Sequence, residues 1–339
     1  MKYIQILLFY FILFISCNKN EKFIKTKINI SKVDSLKTEN EIEKLIGNID
    51  SLYKKIELKQ IKDINFEMSN DSIFKEVAKR EKVNFTYQKA DFDNNGLTDI
   101  LAIGINNIYN SENFDPKLDV EFSKEFNTIV LMNFGKNKYK LFDISEEKFY
   151  PIIPKVIIEN SEAFLKIYKP KLLNSRKNLK REETITKLTF KFNDFVDFNP
   201  NPKKYNIEKI EFNSKGCPGS CPIFKIEIAS DREAKINASD FNYSKEWQKG
   251  NYIDGNYSTI IKEENFCELN NLLCYIDFPN LKKDYSLVTY HHPDGTLKIT
   301  YDGGKIKIIN DFGLVGTYGL KRVYDMLFKL RFNQNLKKK

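Results

Sequence analysis

Between Asp91 and Asp99 the chain reads Asp-Phe-Asp-Asn-Asn-Gly-Leu-Thr-Asp. Side-chain oxygens fall at the first, third, fifth and ninth positions, from Asp91, Asp93, Asn95 and Asp99. Gly96 at the sixth permits a sharp bend, and the Leu97 carbonyl at the seventh adds a backbone oxygen. Calcium takes six to eight hard oxygen ligands, and this alternation curls them around one point. The chemistry expected is structural calcium binding that neutralises the carboxylates and fixes the turn. The competing reading is an Asx-rich turn that needs no ion, and the four correctly spaced ligands favour calcium.

The cysteines are the second group able to do chemistry. Cys217 and Cys221 sit in Gly-Cys-Pro-Gly-Ser-Cys-Pro, a turn that can bring their Cα atoms within bridging distance. They are open to three uses: a disulfide, a reactive thiol, or half of a four-cysteine zinc site with Cys267 and Cys274. Those last two lie seven apart in a helical pattern, roughly 10.5 Å along the axis. That exceeds the reach of about 7 Å for a bridge between them, and their apolar neighbours suggest buried free thiols. His291 and His292 are adjacent, so on a strand they point to opposite faces and cannot chelate one ion together. No GxSxG, HExxH, phosphate loop or dinucleotide fingerprint occurs. Asp277, Asp284 and Asp294 are scattered carboxylates whose pairing in space a sequence cannot decide.

The elements that must position these groups follow from periodicity. Thr38 to Lys55 reads as an amphipathic helix with Thr38-x-x-Glu41 as its capping box, and a shorter helix follows Asn70-Asp71. Strand patterns then run over 83–87, 100–105, 128–134, 138–142, 155–158, 164–168 and 184–192. Asn199-Pro200-Asn201-Pro202 is the best domain boundary, because two prolines bar both helix and central strand. Beyond it come strands at 206–212 and 223–228, a helix from about 262 to 275, a meander over 287–291, 296–301 and 305–310, and a closing helix from Thr317 to Leu330. The fold class expected is α+β, two domains, each mainly antiparallel sheet with a few packed helices.

The chain opens Met-Lys and continues with an apolar run from Tyr3 to Ile15, interrupted only by Gln5, then Ser16 and Cys17. That run is too short to span a bilayer comfortably and has the form of a secretory signal. Phe14-Ile15-Ser16-Cys17 resembles the lipobox of bacterial lipoproteins, with Phe where Leu is commonest. The resemblance implies cleavage before Cys17, acyl chains such as palmitate on that residue, and attachment to the bacterial outer membrane or cell envelope. The spans expected are a signal over 1–16, a polar tether over 17–37, a first domain over 38–198 and a second over 205–332. Outside the cytoplasm a disulfide is the default for Cys217 and Cys221, worth about 2 kcal/mol for so short a loop.

Two further resemblances concern the sites. The acidic loop resembles the calcium turns of FG-GAP-type and integrin-like hairpins, which read D-x-D-x-[DN]-G-x-x-D before an apolar strand, here Ile100 to Gly104. An EF-hand would need a bidentate Glu at the twelfth position, where this chain has Ala102. The likeness covers one hairpin and brings no propeller with it. Cys217 to Phe224 resembles the signature C-x-G-x-C-P-x-[YF] of a bacterial envelope family known only as a domain of unknown function. It extends loosely through Lys225–Ile228, Phe278 and Tyr285 to Gly316-Thr317, and implies a domain boundary without a reaction.

The 55 basic residues exceed the 46 acidic ones by nine, but they are spread between acidic neighbours. No basic cluster is interleaved with aromatics as a nucleic-acid groove requires, so nucleic acid is not an expected partner. The function expected is a lipid-anchored envelope protein that binds or scaffolds an envelope protein or glycan, with no catalytic residues assigned. The alternative is an envelope enzyme, either a hydrolase using the scattered carboxylates or a thiol enzyme using Cys217 or Cys221.

Overall fold

Thr38 caps its helix as the spacing predicts: its Oγ1 accepts the Glu41 N–H at 3.3 Å, and its own N–H donates to Glu41 Oε2 at 2.9 Å. The computed structural model describes residues 31–64, 71–107, 124–145, 152–174, 179–217, 220–245, 249–286 and 293–339. Cys17, the segment expected to be a signal over 1–16, and His291 and His292 lie outside the described residues. The capped helix, α2 (Glu39–Ile49), follows a single turn, α1 (Lys32–Ser35). Val33 and Leu36 of the expected tether are buried, and Lys89 Nζ donates to the carbonyls of Val33, Asp34 and Leu36. Residues 31–37 therefore belong to the folded body, a correction to the tether expected over 17–37.

The first sheet joins β1 (Ile56–Leu58), β2 (Tyr87–Ala90), β3 (Asp99–Asn107), β4 (Lys124–Asn133) and β5 (Tyr139–Asp143). β1 and β2 share one edge of β3, and β4 pairs along the other with β5 beyond it, all antiparallel. Alternation along β3 and β4 sends Ile100, Ala102, Ile129 and Leu131 towards α1 and α2. Leu101, Ile103, Val130 and Met132 face the opposite way, into a core shared with α3 (Asp71–Arg80) and a second sheet. That sheet has the order β11 (Asp194–Asp197), β10 (Thr184–Lys191), β7 (Glu162–Lys169), β6 (Ile153–Glu159), with a short hairpin of β8 (Leu172–Asn174) and β9 (Leu179–Arg181) beside it. Helices, sheet and second sheet thus form three layers, and Phe92, Phe142, Phe190 and Phe195 interlock edge to face between the sheets.

The third sheet has eight strands, in the order β18 (Asp284–Ser286), β20 (Lys305–Phe312), β19 (Asp294–Tyr301), β12 (Ile207–Lys215), β13 (Ile223–Ala229), β14 (Glu233–Asp240), β17 (Gly255–Ile260), β21 (Lys337–Lys338). A hairpin of β15 (Tyr243–Lys245) and β16 (Lys249–Tyr252) stands apart from it. One face buries Ile210, Phe212, Phe224, Ile226 and Leu297 against α4 (Glu263–Tyr275) and α5 (Tyr318–Lys329). Each such side chain contributes about 1.5–3 kcal/mol when fully buried. Of the expected meander, the strands at 296–301 and 305–310 are β19 and β20. β18 pairs in parallel with β20, leaving β19 and β20 as the hairpin, and 287–291 lies outside the described residues.

The start of α5 docks on the second sheet. Gly319 N–H donates to Asp197 Oδ2 at 2.9 Å, Arg322 Nε to the Phe192 carbonyl at 2.9 Å, and Tyr318 enters the core between the two sheets. A Cβ at position 319 would lie 2.4 Å from Ile276 Cγ2, so the contact requires glycine there.

Candidate functional site

The acidic loop joins β2 to β3, and its anchor is Phe92, buried in the inter-sheet core while Asp91 and Asp93 on either side are half-buried. Asn94 at φ +56° and Gly96 at φ +80° take the left-handed conformation that turns the chain back on itself. Carboxylate oxygens of Asp91, Asp93 and Asp99 consequently lie within 4.8 Å of one another. The backbone closes around them: Gly96 N–H donates to Asp91 Oδ2 at 2.8 Å, and Asn95 N–H to Asp91 Oδ1 at 3.1 Å.

Asp99 is the innermost member and is fully buried. Phe92 N–H reaches one of its oxygens at 2.8 Å and Asn133 N–H the other at 2.7 Å. Burial pushes its carboxyl up to about 8 in spite of those two donors, and the charges of Asp93 and Asp91 add to the rise. Asp93 is pushed up to about 6, first by burial and then by the Asp91 charge beside it. The site thus offers a charge-seeking pattern of donors to a carboxylate that its surroundings discourage from ionising. A cation held there would remove that conflict, because it would neutralise the three acids together.

Of the other expected ligands, Asn95 is present but turned. Its Oδ1 accepts the Leu97 N–H at 2.8 Å, while its Nδ2 donates to Asp93 Oδ2 at 3.0 Å and to the Asn133 carbonyl at 2.9 Å. For oxygen ligation the amide must rotate. Leu97 follows it on the same turn, its N–H spent on Asn95. Sequence reasoning missed Asn133, which is buried at the end of β4 and also accepts the Gly135 N–H at 3.1 Å. Its one local signal is the Asn-x-Gly pattern after a strand, which marks a turn and says nothing of the loop across the sheet.

The scattered carboxylates do not gather. Asp277 sits past α4, where burial would raise its carboxyl but hydrogen bonds from Tyr205, Asn280 and Lys203 hold it below the usual range. Asp284 lies opposite Asn310 and Asp294 opposite Phe312, on either side of β20. Cys217 and Cys221 lie at disulfide distance, with sulfurs 2.02 Å and Cα atoms 5.4 Å apart. Cys274 is a half-buried free thiol whose pKa burial raises. Cys267 is not among the free thiols of the described residues. This corrects the expectation of a free thiol there, and it removes the four-cysteine zinc arrangement.

The Cys217–Cys221 turn precedes β13, and at the far end of the same region a second turn leads into α5. There the buried Asp311 accepts the N–H groups of Val315 at 2.9 Å and Gly316 at 3.0 Å. A Domain of unknown function (DUF6438) covers residues 208–331. The DUF6438 span agrees with the C-terminal domain expected over 205–332, and takes in β12 to β20, α4 and α5. No curated protein and no solved structure matches the chain. In the DUF6438 domain Arg331 is buried without an acid partner among the described residues. Its guanidinium stacks 4.3 Å from the centre of the Phe224 ring and 5.0 Å from that of Phe328, and donates to Asn242 Oδ1 at 2.6 Å. Burial lowers its pKa to about 10.

Proposed function

We propose that the protein is a lipid-anchored binding or scaffolding component of the bacterial cell envelope, with calcium bracing the hairpin of its first region. The observation that carries the calcium half is Asp99, a buried carboxylate with two backbone donors and two further acids within 4.8 Å. Asp91, Asp93 and Asp99 would hold the ion, and a rotated Asn95 with the Leu97 carbonyl would complete an oxygen shell. Magnesium fits less well, because it demands a tighter octahedral shell and sheds its waters reluctantly.

The envelope half is supported by the apolar run that ends in Ser16-Cys17. Among the described residues no helix is long and apolar enough to cross a membrane. Attachment would then come from acyl chains on Cys17, each buried methylene adding about 0.8 kcal/mol. The test is metabolic labelling with a palmitate analogue followed by fractionation. The wild-type chain should carry label and sediment with membranes, and Cys17→Ser should lose the label and become soluble. An unlabelled wild-type chain retaining Met1 would refute the anchor.

A further inference from the structure

The face of the eight-stranded sheet opposite α4 and α5 is open to solvent and has an ordered pattern. Register sets Asn310, Thr296, Asn213, Lys225, Asn237 and Asn256 level with one another across β20, β19, β12, β13, β14 and β17. Five strand spacings of about 4.8 Å give a polar row about 24 Å long. Asn213, Asn237 and Asn256 are exposed. Asn237 and Asn256 are bonded to each other at 2.7 Å, while the Asn213 side chain makes no hydrogen bond among the described residues. The four asparagines and Thr296 donate and accept without carrying charge, and the ammonium of Lys225 between Asn213 and Asn237 is matched by Glu227.

The charges of this face divide into two groups. At its centre every lysine is matched: Glu211 lies 3.2 Å from Lys209 and 2.9 Å from Lys298, and Glu227 lies 2.8 Å from Lys209 and 2.5 Å from Lys225. Beside β17 the matching stops. A cavity of about 640 Å³ opens there, with its wall made by the C-terminal segment that pairs with β17. Lys235, Lys337 and Lys339 line it and form no ion pair among the described residues, while Glu233 is the one unmatched acid. The Lys339 N–H donates to the Asn256 carbonyl at 2.8 Å, so the cavity wall is fastened to the end of the amide row. Ile260, Ala229 and Ala234, with no aromatic ring, form the apolar part of the lining, which offers nucleic-acid bases nothing to stack on.

We propose that this face binds an acidic glycan, its acid groups held by Lys235, Lys337 and Lys339 and its hydroxyls by the amide row. Unmatched ammonium groups call for an anion, and a line of neutral donors and acceptors calls for a polyhydroxylated chain. This ligand rests on the binding role proposed above. Glycan binding is read on the purified chain in solution and the anchor by fractionation, so failure of one is distinguishable from failure of the other.

The test is calorimetric titration of the full chain with a galacturonate hexamer, with maltohexaose and polyphosphate as comparisons. The hexamer should bind at least tenfold more tightly than maltohexaose. Lys235→Gln with Lys337→Gln should raise its Kd about tenfold, and Asn213→Ala with Asn237→Ala roughly threefold. Both pairs are exposed, so thermal melts should match the wild type. Absence of hexamer binding would overturn the proposal. So would polyphosphate binding equally tightly with no response to the asparagine changes, since that pattern is adhesion by charge alone.

Discussion

Removing protons from the acidic loop should destabilise the protein unless calcium replaces them. In the folded chain Asp99 keeps its proton up to about pH 8, whereas an unfolded aspartate releases it near its ordinary value of 3.8. Between those limits the folded state binds the extra proton, so stability is greatest at the acid end of the window and falls as pH rises through it. One whole proton corresponds to about 1.4 kcal/mol per pH unit, so roughly 3 kcal/mol should be lost between pH 5 and 7. Asp93, pushed up to about 6, steepens the lower part of that fall. Calcium should bind the ionised site and displace the protons, adding about 2.7 kcal/mol at a hundredfold excess over Kd. Urea unfolding followed by fluorescence, at pH 5.5, 6.5 and 7.5 with calcium or chelator, measures both effects. The calcium gain should be largest at pH 7.5, and Asp93→Asn should abolish most of it. A pH slope unchanged by calcium, or a gain as large at pH 5.5 as at 7.5, would refute the reasoning.

Replacing Cys217 and Cys221 together by serine should lower stability by about 2 kcal/mol, measured as a shifted urea midpoint, and leave the calcium response intact. Arg331→Ala should lower it by about 2–4 kcal/mol, because it strips the packing between Phe224 and Phe328 and leaves the buried Asn242 oxygen unpaired. Arg331→Met keeps most of that packing and should cost less than the alanine change.

Local patterns were legible wherever neighbours in sequence are neighbours in space. The Thr38 capping box, the Asp91–Asp99 spacing and the Cys217–Cys221 turn all close within a few residues, so backbone geometry alone brings their groups together. The alternation that marks β3, β4, β12 and β13 is likewise local, since only one face of a strand meets a core. The α+β class followed from these runs and their turn punctuation. Asn133 was not legible, because it reaches Asp99 across 34 positions and only the β3–β4 pairing sets that distance. The docking of 31–36 and the parallel pairing of β18 with β20 depend in the same way on which surfaces were left uncovered.

By itself the sequence determined which residues could ligate or bridge, and which face of each strand would be buried, because those properties repeat at the period of the backbone. Tertiary structure alone decided how deep Asp99 lies and that its two oxygens meet two backbone donors. It alone levelled the asparagines of β12, β14 and β17 into one row. Burial and register are properties of the assembled sheets, and no short window of the chain contains them.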